Sequence, residues 1–88
     1  MIDIVYYRNF LKSAKCLPKS QQKKFANLLV ALKANPFHPL LHAKYLSGEL
    51  AGFLSFRISR DWRVIFKFIN PETIHLIGVK HRKDIYKN

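Results

Sequence analysis

Acidic residues are scarce in this chain of 88 residues, which has 5 Asp and Glu against 16 Lys and Arg and a formal net charge of +11. Most of the cations therefore have no internal carboxylate to pair with. A surplus of this size is typical of proteins that bind an anionic partner, either a nucleic acid or an acidic protein. The alternative, a soluble protein that is merely basic, fits less well with so much charge in so short a chain.

Cysteine and long apolar segments are also rare. Cys16 is the one cysteine, which excludes a disulfide within the chain and a metal site built from several thiolates. No apolar run approaches the ~20 residues that span a membrane, and the N-terminus lacks the pattern of a secretion signal. We therefore expect a cytoplasmic protein with no membrane partner.

The apolar residues that are present predict a single α+β domain over residues 1–88. Their spacing predicts a strand at 2–7, a short helix at 8–15, a second helix at 18–35, and strands at 52–59, 62–69 and 73–80. The last three strands form an antiparallel meander. We expect the first strand to join them in a four-stranded sheet that packs on the helices.

Apolar and polar residues alternate along segments 52–59 and 62–69, which limits how the two strands can pair. A two-residue loop would mix the faces. A three-residue loop at 60–62 pairs Ser59 with Arg63 and Arg57 with Ile65, and keeps the apolar side chains together. In this register Arg57 and Arg63 share the face away from the helices, which we expect to be solvated.

Two arginines on one sheet face can bind a phosphodiester, because a guanidinium stays charged and grips phosphate oxygens in a bidentate manner. The alternative is a strand face with solvated cations and salt bridges. His81 is a candidate for proton transfer, or else a surface histidine. Tyr86 can stack on a base or relay a proton, or else anchor the C-terminal tail. His42 is a weaker candidate that could approach the same face.

These residue types are sufficient for RNA cleavage without a metal. The ribose 2′-hydroxyl attacks the adjacent phosphorus, one group takes its proton, cations stabilise the developing charge, and another group protonates the leaving oxygen. No histidine pair has metal-ligand spacing and no carboxylate cluster accompanies the histidines, so we expect neither a metal nor a cofactor. Composition alone does not separate a nuclease from a basic RNA-binding module.

Segment 46–66 (LSGELAGFLSFRISRDWRVIF) and segment 77–86 (IGVKHRKDIY) together resemble the RelE/ParE toxin superfamily of bacterial type II toxin–antitoxin systems. The resemblance covers nearly the whole chain and implies the RelE-like microbial RNase fold. It also implies ribosome-dependent cleavage of mRNA. With this resemblance and the basic character of the chain, we predict catalytic roles for Arg57, Arg63, His81, Arg82 and Tyr86. We predict RNA binding for His42, Lys44, Lys67, Lys80 and Lys83.

The same resemblance implies partners. It predicts an acidic antitoxin, and it predicts the ribosome and mRNA as targets. An exposed cationic face independently favours a partly disordered acidic segment that folds onto it. Two alternatives remain: a ParE-like inhibitor of DNA gyrase without catalytic activity, and a non-catalytic relative that binds RNA or the ribosome.

Overall fold

The computed structural model describes residues 1–85 and confirms the predicted α+β class. The helices are α1 (Phe10–Ala14), α2 (Lys19–Ala34) and α3 (Arg82–Ile85), and the strands are β1 (Asp3–Tyr6), β2 (Lys44–Tyr45), β3 (Leu54–Arg57), β4 (Trp62–Asn70) and β5 (Thr73–His81). Short 3-10 turns lie at Pro39–Leu41 and Gly48–Leu50. No helix in the described part of the chain is long and apolar enough to cross a membrane.

The sheet has five strands in the order β1-β5-β4-β3-β2, one more than the sequence predicted. The additional strand is β2, in which Lys44 lies opposite Ser55 and Tyr45 opposite Leu54. It has only two residues, too few for an alternating pattern to appear in the sequence. The first strand joins the sheet as expected, parallel to β5, while the other pairs are antiparallel.

Aromatic rings at the centre of the core hold the helices on one face of the sheet. The Phe10 ring of α1 contacts the Phe25 ring of α2 with 5.7 Å between centroids, and Phe25 stacks on Phe56 of β3 at 6.3 Å. Phe56 in turn contacts Phe66 of β4 at 5.9 Å. Since burial of each large apolar side chain stabilises the fold by roughly 1.5–3 kcal/mol, this face is the one that the helices cover, as predicted.

The hairpin of β3 and β4 has the predicted faces but not the predicted register. Arg57 lies opposite Arg63, whereas the sequence pattern placed Arg57 opposite Ile65. The shift of two residues leaves every side chain on its predicted face, because side chains alternate along a strand with a period of two. The loop is correspondingly longer, and the Ile58 N–H donates to the Trp62 carbonyl at 3.0 Å.

An irregularity in β5 explains why both of its faces are apolar in sequence. Ile65 lies opposite Gly78 and Phe66 lies opposite Leu76, so that Ile77 has no partner in β4. A bulge of this kind lets the side chains on both sides of it reach the core. Leu76 and Val79 are both buried there, although they are three positions apart.

We call the sheet face turned away from α1 and α2 the outer face. By register and alternation its side chains are Val5 and Tyr7 of the first strand and its extension, Phe53, Ser55 and Arg57, then Arg63, Ile65 and Lys67, and finally His75, Gly78 and Lys80. This face is not uniformly solvated, contrary to the expectation. Ser55 and Ile65 are buried at its centre.

The hydroxyl of Ser13 connects α1 to the edge of the sheet. It donates to the Phe10 carbonyl at 2.9 Å and accepts from the Val79 N–H at 3.2 Å. Val79 lies in β5 beyond the last residue that pairs with β1, so its N–H has no strand partner on that side. Ser13 therefore satisfies a donor that the short first strand leaves unpaired.

We expect Ser13→Ala to lower the free energy of unfolding by about 1–2 kcal/mol, because the partly buried Val79 N–H loses its acceptor. Urea unfolding followed by circular dichroism measures the change. Ser47→Ala is the matched control, since Ser47 is exposed and its side chain makes no capping hydrogen bond. Equal urea midpoints for the two variants would contradict this role for Ser13.

Candidate functional site

A row of cations crosses the outer face at one end of the sheet. Arg57 of β3 lies opposite Arg63 of β4, and Arg63 lies opposite Lys80 of β5. Arg57 and Lys80 are exposed. We call these three residues the cationic row. Both predicted phosphate-binding arginines are thus direct neighbours on the predicted face.

Arg63 differs from the expectation because its side chain is buried, with 7% of its surface exposed. Its Nη1 donates to the carbonyls of Ser59, Arg60 and Trp62 at 2.6, 2.9 and 3.2 Å. These carbonyls belong to the loop between β3 and β4 and to the first residue of β4. The guanidinium group therefore points toward the loop of its own hairpin and holds the loop backbone in place.

Arg57 lines a cavity of about 390 Å³ together with His42, and Lys24 and Arg60 add two further cations. The remaining lining consists of Ser59 and three apolar side chains, Leu28, Leu40 and Ile58. The cavity thus combines charged groups suited to phosphate with an apolar part suited to a base or sugar. His42 and Arg57 thus line the same cavity, which residues of α2 also line, whereas the sequence suggested an approach of His42 to the face away from the helices.

His42 occupies a backbone conformation that few side chains adopt. Its φ is 48° and its ψ is 43°, and it follows the 3-10 turn Pro39–Leu41. It is the one non-glycine residue with positive φ among residues 1–85. Such a conformation costs about 1 kcal/mol or more and is found preferentially at functional sites. The turn places His42 at the cavity that Arg57, at the end of β3, and Arg60, in the hairpin loop, also line.

His81 lies opposite Trp62 at the same end of the sheet, but strand alternation places it on the other face from the cationic row. Its ring meets the Trp62 ring edge-on with 5.2 Å between centroids, and Trp62 packs against the core. The Nδ1 of His81 accepts from the Lys83 N–H at 3.2 Å. This hydrogen bond assigns the proton of the neutral ring to Nε2.

Arg82 ties α3 to the hairpin loop. Its backbone N–H donates to the Asp61 carbonyl at 2.7 Å, and its Nε lies 3.5 Å from Oδ1 of the same residue. Lys83 of α3 is exposed. Tyr86, the remaining predicted catalytic residue, lies outside the described residues.

Two predicted RNA-binding lysines lie away from the cationic row. Lys44, on β2, borders a second cavity of about 290 Å³ that segment 45–50 and Ile85 also line. Lys67 lies on the outer face toward the other end of β4, with its Nζ 5.7 Å from the centre of the Phe53 ring. The predicted residues that the structure describes are therefore spread over several places, and Arg57 and His42 line one cavity.

Sequence reasoning missed Lys24 and Arg60, which complete the cavity of Arg57. Lys24 lies on α2, one helical turn before Leu28, and its exposed position is typical of a solvated helix face. Arg60 lies in the hairpin loop. The sequence contains no local signal that these residues meet, because three separated segments form the cavity. Among residues 1–85 no group of three His, Cys, Asp or Glu side chains could hold a metal ion.

No protein-family model matches the chain, and no curated protein matches it either. Solved structures do match. YafQ from E. coli strain BL21(DE3) has a TM-score of 0.77 at 20% sequence identity, covering 98% of this chain and 99% of that chain. The YoeB/ParE toxin from Agrobacterium tumefaciens has a TM-score of 0.74 at 19% identity, with 92% and 99% covered.

A third match is the RelB–RelE antitoxin–toxin complex from Methanococcus jannaschii, with a TM-score of 0.74 at 23% identity, covering 94% of this chain and 95% of that chain. These proteins share one fold across most of their length. The chain therefore has the fold of the RelE/ParE toxins, as the resemblance in segments 46–66 and 77–86 predicted.

The two arginines that face each other across β3 and β4 should differ in their effect on stability. We expect Arg63→Ala to lower the free energy of unfolding by about 2 kcal/mol, because hydrogen bonds from a charged donor are worth roughly that much. Arg57→Ala should stay within about 0.5 kcal/mol of the wild type, since Arg57 is exposed.

Urea unfolding of the two variants tests this expectation, and each is the control for the other because both remove one guanidinium from the same hairpin. Equal midpoints would show that the loop carbonyls do not depend on Arg63.

Proposed function

We propose that the protein is the toxin of a type II toxin–antitoxin system and acts as a ribosome-dependent endoribonuclease on mRNA. The observation that carries this proposal is the cavity that His42 lines together with three cationic residues, Lys24, Arg57 and Arg60. The fold shared with RelE, YafQ and YoeB toxins supports it. A cation cluster with a titratable group is what phosphodiester cleavage requires.

In the proposed reaction the cations hold the scissile phosphate. Arg57 supplies an exposed guanidinium on a rigid strand, so its donors can be set in place before charge develops on the phosphate oxygens. Arg60 and Lys24 add positive charge from the loop and from α2. Arg63 acts through the loop as a positioning residue, since its Nη1 holds the carbonyls on either side of Asp61.

His42 is the proposed proton acceptor for the ribose 2′-hydroxyl. The 2′-oxygen then bonds to phosphorus as the bond from phosphorus to the 5′-oxygen breaks, which leaves a 2′,3′-cyclic phosphate and a 5′-hydroxyl. The leaving 5′-oxygen must receive a proton from a second group. His81, at the same end of the sheet, is the proposed second group: it would have to donate as an imidazolium, and the RNA backbone would have to reach around the end of the sheet to meet it.

An acidic antitoxin is the proposed protein partner. Solved structures with this fold include a RelE–RelB complex from Pyrococcus horikoshii and a YoeB–YefM complex from Staphylococcus aureus. A chain with a net charge of +11 gains electrostatic complementarity from an acidic segment. Such a segment laid over the cationic row would neutralise charge and exclude the RNA at the same time.

We expect Arg57→Ala to reduce cleavage of mRNA by about a hundredfold with the fold intact, because a preorganised donor to the developing charge is lost. Primer extension on mRNA in a translating extract measures the cuts. Lys12→Ala is the control, since it removes an exposed cation from α1. Undiminished cleavage by Arg57→Ala would reject its role, and intact mRNA with inhibited gyrase supercoiling would favour a ParE-like inhibitor.

We expect His42→Gly to raise the stability of the protein and to lower its cleavage activity. Glycine adopts positive φ without strain, so the free energy of unfolding should rise by up to about 1 kcal/mol. Cleavage should fall by about a hundredfold because the proton acceptor is gone. The same primer-extension assay, together with urea unfolding, tests both effects. A stable variant that still cuts mRNA at the wild-type rate would remove His42 from the mechanism.

A further inference from the structure

A second set of side chains crosses the outer face at the opposite end from the cationic row. Lys67 of β4 lies opposite His75 of β5, and His75 lies opposite Val5 of β1. Tyr7 continues the first strand, and Phe53 precedes β3 on the same side by alternation. We call Phe53, Lys67, His75 and Tyr7 the aromatic belt. It places one cation among three ring systems across four neighbouring segments of the sheet.

Tyr7 and His75 form the flat part of the belt. Their rings are stacked, with 5.7 Å between centroids and 22° between planes. The Tyr7 N–H donates to the Leu76 carbonyl at 2.8 Å, which fixes the backbone of Tyr7 to β5. Tyr7 still has 45% of its surface exposed. A rigidly held, half-exposed ring has surface left for another planar group.

Lys67 supplies the charge of the belt. Its Nζ lies 5.7 Å from the centre of the Phe53 ring, within the range of a cation–π contact. That contact orients the ammonium group over the outer face, and the register places it beside His75. A cation beside a stacking platform is the arrangement that binds single-stranded nucleic acid, since it engages one phosphate and one base together.

The cationic row and the belt lie on one face at a distance that a short RNA can span. Arg63 and Lys67 are four residues apart on β4, which corresponds to about 13 Å along the strand. The geometry points to a second RNA contact: a base that flanks the scissile phosphate stacks on Tyr7, and a neighbouring phosphate binds Lys67. This inference rests on the proposed RNA substrate and extends it beyond the cleavage cavity.

Single-stranded RNA fits the belt better than an acidic peptide. Carboxylates would pair with Lys67 but would leave the stacked rings of Tyr7 and His75 without a planar partner. Every base has a π-face, so stacking on the platform is independent of sequence. The same contact would orient the strand relative to Arg57 and thereby help to select the phosphate that enters the cavity.

The experiment measures binding of a fluorescent RNA of about eight nucleotides, a length in the range that small single-strand-binding domains cover. The RNA carries 2′-O-methyl groups, so that cleavage cannot occur and binding is read by fluorescence anisotropy at physiological salt. We expect Tyr7→Ala to weaken binding about tenfold, since it removes one base-stacking contact. Tyr7→Phe should bind within about twofold of the wild type because stacking is retained.

Tyr6→Ala is the matched control. Tyr6 is the preceding residue of the same strand, is 43% exposed and points to the opposite face of the sheet, so its loss should leave RNA binding unchanged. Lys67→Gln should reduce the slope of log affinity against log salt by roughly 0.7, the value for one phosphate contact on a single strand. If Tyr7→Ala does not fold, Tyr7→Leu replaces it, since leucine supports a strand but cannot stack.

The outcomes separate this inference from the proposed nuclease activity. Equal RNA affinity of Tyr7→Ala and wild type overturns the inference, even if Arg57→Ala abolishes mRNA cleavage. Weaker binding by Tyr7→Ala upholds it, even if the wild type cuts no mRNA. A wild type that does not bind the RNA overturns the inference. A Tyr7→Ala variant whose affinity falls for an acidic peptide but not for the RNA also overturns it, and assigns the belt to a peptide partner.

Discussion

The contact between the Arg63 guanidinium and the carbonyls of the hairpin loop is the interaction on which the candidate site depends. One nitrogen donates to Ser59, Arg60 and Trp62, and it is buried with the rest of the side chain. Loss of this donor at the rim of the sheet would cost free energy at the Ser59 and Arg60 carbonyls, whereas the Trp62 carbonyl also accepts the Ile58 N–H. The loop is therefore tied to β4, and the residues that it presents are held in place.

The attachment of the loop to β4 also sets the positions of the charged residues in and beside the loop. Arg57 is the last residue of β3 and Arg60 lies within the loop, and both residues line the cavity of His42. From the other side, Asp61 of the same loop receives Arg82 and thereby fixes the start of α3. A single buried arginine thus positions exposed charges on both sides of the hairpin. Cations that stabilise a transition state must be held in position before the substrate binds, and this requires such support.

The outer face divides into two charged ends separated by a covered centre. The cationic row lies at one end and the aromatic belt at the other, while Ser55 and Ile65 between them are buried. Ile85 of α3 is buried as well and borders the cavity beside Lys44, the residue opposite Ser55. A phosphate chain that crosses the outer face would therefore meet different chemistry at each end. The cationic row offers cations alone, whereas the aromatic belt offers a cation beside stacking rings.

Local patterns in the sequence were sufficient for the α+β class, for α2 and for the assignment of strand faces. The spacing of Phe25, Leu28 and Leu32 identifies the buried side of a helix, and alternation around Phe56 and Phe66 identifies the buried side of a hairpin.

The same alternation determines register only to within two residues, because a shift of two changes no side chain's face. For that reason the pairing of Arg57 with Arg63 could not be read from the pattern.

The tertiary structure decided the rest. Burial of Arg63 depends on where the carbonyls of a loop point, and no sequence period encodes that direction. The cavity joins Lys24, His42 and Arg57 from three separated segments, and the belt joins Tyr7 to His75 across a parallel strand pair. A sequence reports which residues can be buried or charged along one stretch of chain. Which of them meet is determined by packing between stretches that are far apart in the chain.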